Sequence, residues 1–196
     1  MTRRILAIDG GGIRGIIPAV VISHIEKQVG KSAAECFDLM VGTSTGGILA
    51  LSLARPGTGS RAQFSAKRVV KLYEDHGANI FEHSLWRKLR TVGGILEEAY
   101  SHKNLEAVLE QYFADSMLGA CQVPTMVTSY DIQNRETVFL KSWLHQYSGI
   151  LCRDAARATS AAPTYFEPKP LDAADMQHIL VDGGIFINSP SVSAYA

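Results

Sequence analysis

The chain has 196 residues, 46% of them apolar and only 19% charged, enough to remove roughly 70% of its unfolded surface from water around one core. One domain is therefore expected over residues 1–196. Nineteen Lys and Arg cancel nineteen Asp and Glu, so no overall field draws the chain to nucleic acid.

The first apolar run, Ile5 to Ile8, meets Asp9 too early to serve as the core of a signal peptide. No apolar stretch approaches the ~20 residues that cross a bilayer. Cys36, Cys121 and Cys152 are far apart, odd in number and without a Cys-x-x-Cys pair. Such usage argues against a disulfide framework or a cysteine-bound zinc and for a cytoplasmic protein.

Ile5 to Ile8 reads as a buried parallel strand, stopped by Asp9 and three glycines. Pro18, Ile22, Ile25 and Val29 then recur at helical spacing, with Gly30 as the stop. Ser32 and Glu35 fit a capping box. Leu39-Met40-Val41 is a second strand, and Ile48 to Ala54, almost wholly apolar, reads as a helix packed hard against another part of the fold. Strand, glycine turn and helix have now occurred twice, which signals α/β architecture around a parallel sheet.

A helix is expected over about Gln63 to His76, and another from Asn104, as its cap, to Phe113. Thr125 to Tyr130 and Thr137 to Leu140 read as strands joined by the turn Gln133-Asn134-Arg135-Glu136. Leu151 to Ala158 is a helix, and Ile179 to Val181 a last core strand ending at Asp182-Gly183-Gly184.

Three glycine turns could carry chemistry. Gly42-Thr43-Ser44-Thr45-Gly46 is a G-x-S-x-G element between strand and helix, a setting that lifts a serine nucleophile above the sheet and aims a helix dipole at the reacting carbonyl. The plainer reading is a tight turn with Ser44 as helix cap. Gly10, Gly12 and Gly15 satisfy G-x-G-x-x-G, but the acidic residue a dinucleotide site needs after the second strand is missing, and no Gly-Lys-Ser/Thr follows any glycine cluster. A nest of bare N–H groups that faces an oxyanion is the other use of Gly10-Gly11-Gly12. Asp182, between an apolar run and two glycines, can approach a serine closely or simply cap a turn. Of six histidines only His178 lies near a candidate site, and it precedes the strand that Asp182 ends.

Asp9-Gly10-Gly11-Gly12-Ile13-Arg14-Gly15, Gly42-Thr43-Ser44-Thr45-Gly46, Ala158-Thr159-Ser160-Ala161-Ala162-Pro163-Thr164-Tyr165-Phe166 and Asp182-Gly183-Gly184 together resemble the patatin-like phospholipase family, in its order and approximate spacing over nearly the whole chain. The resemblance implies a three-layer α/β/α fold with a mainly parallel central sheet. It implies hydrolysis of lipid acyl esters by a Ser-Asp dyad through an acyl-enzyme. By it Ser44 is the nucleophile, Asp182 its base, the Gly10, Gly11 and Gly12 amides the oxyanion hole, and Arg14 a support of that loop. Family domains run on through further helices, so C-terminal helices are expected to be missing here, and Asn188-Ser189-Pro190 replaces the two asparagines often found before that proline.

No cofactor and no metal are expected, and calcium independence with them, since His-x-x-x-His and His-Glu pairings at ligand spacing are absent. Trp86, Arg87, Lys88 and Arg90 lie among apolar residues, which suits peripheral contact with an anionic membrane, at its inner face for a cytoplasmic protein, or an ordinary helix with one wet side. Acyl transfer by the same serine, and non-catalytic binding of lipid or nucleotide, are the rival functions.

Overall fold

The described strands are β1 (Ile5–Ile8), β2 (Leu39–Thr43), β3 (Thr125–Asp131), β4 (Glu136–Lys141), β5 (Lys169–Ala173) and β6 (Met176–Asp182), all in one sheet. The computed structural model describes residues 2–57, 62–77, 95–173 and 175–196. The sheet order is β1-β2-β3-β6-β5, with β4 also paired to β3. β1, β2 and β3 are parallel; β4 and β6 oppose β3, and β5 opposes β6. Four strands (β1, β2, β3 and β5) therefore point one way, and the mainly parallel sheet is as expected.

The helices follow local signals. In α1 (Ile16–Val29) the last turn closes on Gly30, which adopts the left-handed φ of 69° that a side chain would disfavour. A turn, α2 (Ala33–Cys36), starts with the expected capping box: the Glu35 carboxylate accepts from the Ser32 N–H at 2.8 Å and the Ser32 hydroxyl at 2.7 Å. Every residue of α3 (Thr45–Ala54) is buried, which explains its almost wholly apolar run. The remaining helices are α4 (Ala66–Gly77), α5 (Ile95–Phe113), α6 (His145–Ser148), α7 (Cys152–Thr159) and α8 (Ser191–Tyr195).

Alternation along the strands sorts side chains between two faces. On one, Ile8 and Met40 meet Ala19, Ile22, Leu49, Leu53, Val69 and Tyr73 of α1, α3 and α4. Beside them Val127, Val138, Leu140 and Leu180 meet Leu51, Leu109, Phe113 and Ala155 of α3, α5 and α7. Truncating Leu49 or Leu53 to alanine is expected to cost about 2–5 kcal/mol in so dense a layer. On the other face Val41 and Met126 are covered by Ala194 of α8, with Leu39 and Phe139 alongside. Phe186 packs edge-on to Phe139 and tilted to Tyr130 there. Among the described residues the second helical layer is thus the five-residue α8.

Three expectations need correction. Helix α5 starts at Ile95 and passes through Asn104, so Asn104 is an exposed interior residue and not a cap. The Leu105, Leu109 and Phe113 stripe holds the helix there despite a weak helix former. Strand β5 was not expected: Lys169-Pro170-Leu171-Asp172-Ala173 lacks a clear apolar alternation, but the sheet edge tolerates Pro170, which has no ladder N–H to give. His178 lies inside β6 rather than before it. Trp86, Arg87, Lys88 and Arg90 lie outside the described residues. Among those described, no helix is long and apolar enough to cross a membrane.

Candidate active site

One edge of β3 organises the site. β4 occupies the opposite edge along its length. On the free edge β2 pairs with Thr125 to Thr128, ending with Thr43 beside Thr128. β6 approaches from the other direction and ends with Asp182 beside Ser129. Two strands distant in sequence therefore meet carboxyl end to carboxyl end on consecutive residues of a third. Ser44 follows the first end, and its hydroxyl donates to Asp182 Oδ2 at 2.6 Å. The structure thus brings together the two residues that the sequence singled out.

Ser44 adopts φ 56° and ψ −126°, outside the comfortable range of an L-residue. A sharp strand-to-helix turn imposes such angles and lifts the side chain clear of the sheet. The flanking glycines are needed for space. A Cβ on Gly42 would run into the Gly46 carbonyl, and one on Gly46 into the Ile8 carbonyl. Thr159, at the end of α7, fixes the turn from behind: its hydroxyl accepts the Ser44 N–H at 3.0 Å and donates to the Thr128 carbonyl at 2.6 Å. Thr43 and Thr128 hydroxyls are 2.8 Å apart, and Thr43 also donates to the Ile187 carbonyl at 3.1 Å, tying β2 to the segment after Asp182. Thr43 and Thr159 lie within the motif blocks of the sequence, yet their tethering roles needed the fold to become visible. Thr128 had no sequence signal.

The glycine loop lies against this turn. A Cβ on Gly10 would sit 3.1 Å from Ser44 Cβ and 2.7 Å from Asn188 Oδ1. Of its three amides, that of Gly10 donates to the Asn188 carbonyl at 3.2 Å, and that of Gly11 to the Thr45 hydroxyl at a long 3.3 Å. The Gly12 N–H finds no acceptor among the described residues. Arg14 braces the loop through its main chain, its N–H donating to the Gly11 carbonyl at 3.1 Å. Its exposed guanidinium makes no hydrogen bond or ion pair with the described residues.

Electrostatics separate the two conspicuous aspartates. Asp182 is 5% exposed, and burial pushes its carboxyl above the usual range, against the opposing pull of the Ser44 hydroxyl and the Gly184 N–H. The Gly184 N–H donates to Oδ1 at 2.7 Å, leaving Oδ2 for the serine. Asp131 is also buried, but bonds from Asn134, His178 and Gln133 outweigh its burial and hold it below the usual range. It accepts the Gln133 and Asn134 N–H groups of the β3–β4 turn and lies 2.7 Å from His178 Nδ1. His178 is thus engaged at the far end of β6 from Ser44. Asp131, Glu136 and His178 offer three ligand atoms within 4.8 Å of one another. That grouping was not visible in the sequence, and Asp131 spends both oxygens on the turn.

Comparison with known proteins gives the family. The family model for patatin-like phospholipase matches residues 6–195. Patatin-like protein 2 of rice (Oryza sativa) is 33% identical over 208 residues, covering 97% of this chain and 51% of the relative. Patatin-15 of potato (Solanum tuberosum) is 34% identical over 196 residues, covering 92% of this chain and 49% of the relative. The chain spans about half the length of the curated relatives it matches. Among solved structures, VipD from Legionella pneumophila aligns with a TM-score of 0.51 at 14% identity, over 95% of this chain and 46% of that one, a likeness of fold. With a match to the family model from the first strand to the last helix, the chain belongs to the patatin-like phospholipase family.

Proposed function

We propose that the chain hydrolyses carboxylic esters of phospholipids or related acyl lipids, with Ser44 as nucleophile and Asp182 as its only side-chain base. The observation that carries this reading is the 2.6 Å bond from the Ser44 hydroxyl to Asp182 on a strained elbow. Asp182 takes the hydroxyl proton as Ser44 Oγ bonds to the ester carbonyl carbon. The carbonyl oxygen becomes an oxyanion facing the glycine loop, where the free Gly12 N–H and the weakly held Gly11 N–H are its donors. Each well-aimed donor is worth about 3–4 kcal/mol in the transition state. The intermediate collapses, the alcohol leaves with the proton from Asp182, and a water deprotonated by Asp182 then frees the acid.

Burial of Asp182 supports this role, because a carboxylate at its ordinary pKa of about 3.9 is a weak base. The proposed place of action is the cytoplasm, with Trp86, Arg87, Lys88 and Arg90 as a peripheral contact to the membrane surface.

The test is labelling with a fluorophosphonate, followed by mass spectrometry of the modified peptide, alongside release of free fatty acid from phospholipid vesicles. Labelling confined to Ser44, with both signals lost in Ser44→Ala, is expected. Fatty acid release unchanged in Ser44→Ala would refute the proposal, and release only on adding an alcohol or thiol acceptor would favour acyl transfer.

A further inference from the structure

Cys121 and Cys152 are remote in sequence and adjacent in space. The segment after α5 is laced to the start of α7: the Leu118 N–H donates to the Ile150 carbonyl at 2.7 Å, the Cys152 N–H to the Ser116 carbonyl at 2.8 Å, and Met117 bridges Leu151. This lacing packs half-buried Cys121 against the core cluster that holds fully buried Cys152, and brings the two thiols close enough to perturb each other. Both are free thiols. Cys36 is the last residue of α2 and is not part of that cluster.

We propose that Cys121 and Cys152 form a reversible disulfide when the protein meets a hydroperoxide. Cys121 is the attacking thiol: it is the more accessible, since Cys152 is fully buried, and the neighbouring Cys152 thiol holds it below the ordinary thiol range. Cys152, beside Cys121 and fully buried, is held well above it. The Cys121 thiolate attacks the terminal oxygen of R–O–O–H; the S–O bond forms, the O–O bond breaks, and the alkoxide leaves with a proton as ROH. Cys152 sulfur then attacks the Cys121 sulfenic acid; the S–S bond forms, the S–O bond breaks, and hydroxide leaves with the Cys152 proton as water. Two thiols are oxidised by two electrons, and one hydroperoxide is reduced to an alcohol and water.

The bond would anchor the first turn of α7, whose last residue, Thr159, holds the Ser44 amide. It would also close a long loop in the unfolded chain, which raises the melting temperature by roughly 5–10 °C for a chain of this size.

Reduced full-length chain treated with one equivalent of hydrogen peroxide tests the proposal. Expected are a mass loss of two hydrogens, a fall from three titratable thiols to one after denaturation, a linked peptide pair containing Cys121 and Cys152, and restoration by dithiothreitol. Cys36→Ala should give the same linked pair. In Cys152→Ala the reaction should stop at a Cys121 sulfenic acid that a cyclic 1,3-diketone captures. Three thiols remaining in the treated wild type would overturn the proposal, as would Cys121 passing to sulfinic acid beside an unmodified Cys152, or a link through Cys36. None of these readouts depends on hydrolysis.

Discussion

Thr43 and Asp182 face the same edge of β3 from opposite directions, one beside Thr128 and the other beside Ser129. The spacing between Ser44 and Asp182 is therefore set by one peptide unit of a third strand, whatever lies between them in sequence. A buried carboxylate next to a hydroxyl is an expensive arrangement to fold, and it yields the first prediction.

Asp182→Asn is expected to reduce fluorophosphonate labelling of Ser44 by about 10²–10⁴-fold, the range of a lost general base. In the wild type the acid limb of kcat/KM should fall at a pH above the ordinary aspartate value of about 3.9, since burial raises this group. Stability runs the other way. A carboxyl whose folded pKa is raised contributes stability below its unfolded pKa and loses it as pH rises through the folded one. At pH 7 the variant should melt no lower than the wild type, with any advantage fading towards pH ~4. Thermal scans across pH check this.

Thr159→Val removes the acceptor of the Ser44 N–H and the donor to the Thr128 carbonyl. A loss of about 1–3 kcal/mol in stability is expected from two unsatisfied buried groups. Labelling should slow by roughly tenfold beyond what unfolding explains, at about 1.4 kcal/mol per decade. Thr159→Ser should restore most of both, which a purely packing role for the methyl group would not allow.

Gly46→Ala and Gly10→Ala should part company. At Gly46 the new methyl meets the rigid Ile8 and Asp9 main chain, so a loss of about 3 kcal/mol is expected. At Gly10 its nearest neighbour is the Asn188 side-chain oxygen, which can swing away, and the next is Ser44 Cβ. Gly10→Ala should fold, with a melting temperature near the wild type and a clear loss of labelling rate.

His178→Ala separates a dyad from a triad. It strips a donor from buried Asp131 and should destabilise by about 1–3 kcal/mol, while Ser44 labelling stays within about twofold, under 0.5 kcal/mol. Asp131 is held low, so its contribution is present above its unfolded pKa and lost as pH falls through the folded one. Asp131→Asn should accordingly hurt at pH 7 and progressively less below about pH 4. Loss of labelling in folded His178→Ala would reinstate a histidine base.

Strands that stop at glycine turns were legible because apolar runs with abrupt breaks have few alternative readings, as in β1 and β2. The same glycines marked Ser44 and the Gly10 loop. Strand β5 was not legible, since an edge strand need bury only alternate residues, and Leu171 and Ala173 are too few to announce it. Asn104 misled because a residue that favours caps was judged without the tertiary contacts that carry α5 past it. Thr128 and the Cys121–Cys152 pair escaped for a common reason: each matters only through a neighbour that sequence distance hides. The glycine loop was legible as an anion-facing nest, but the bonds its Gly10 and Gly11 amides make, to Asn188 and at long range to Thr45, were not.

The pairing of Asp182 with Ser129 also has a consequence in time. The elbow, the glycine loop and their helices are encoded before Asp182 is, and 138 positions separate Ser44 from it. A polypeptide emerging from the ribosome holds Ser44 without Asp182 until nearly all of this region has been translated and β6 has docked. If the dyad does the chemistry, nascent chains are inert towards membranes, and competence arrives as a late checkpoint of assembly.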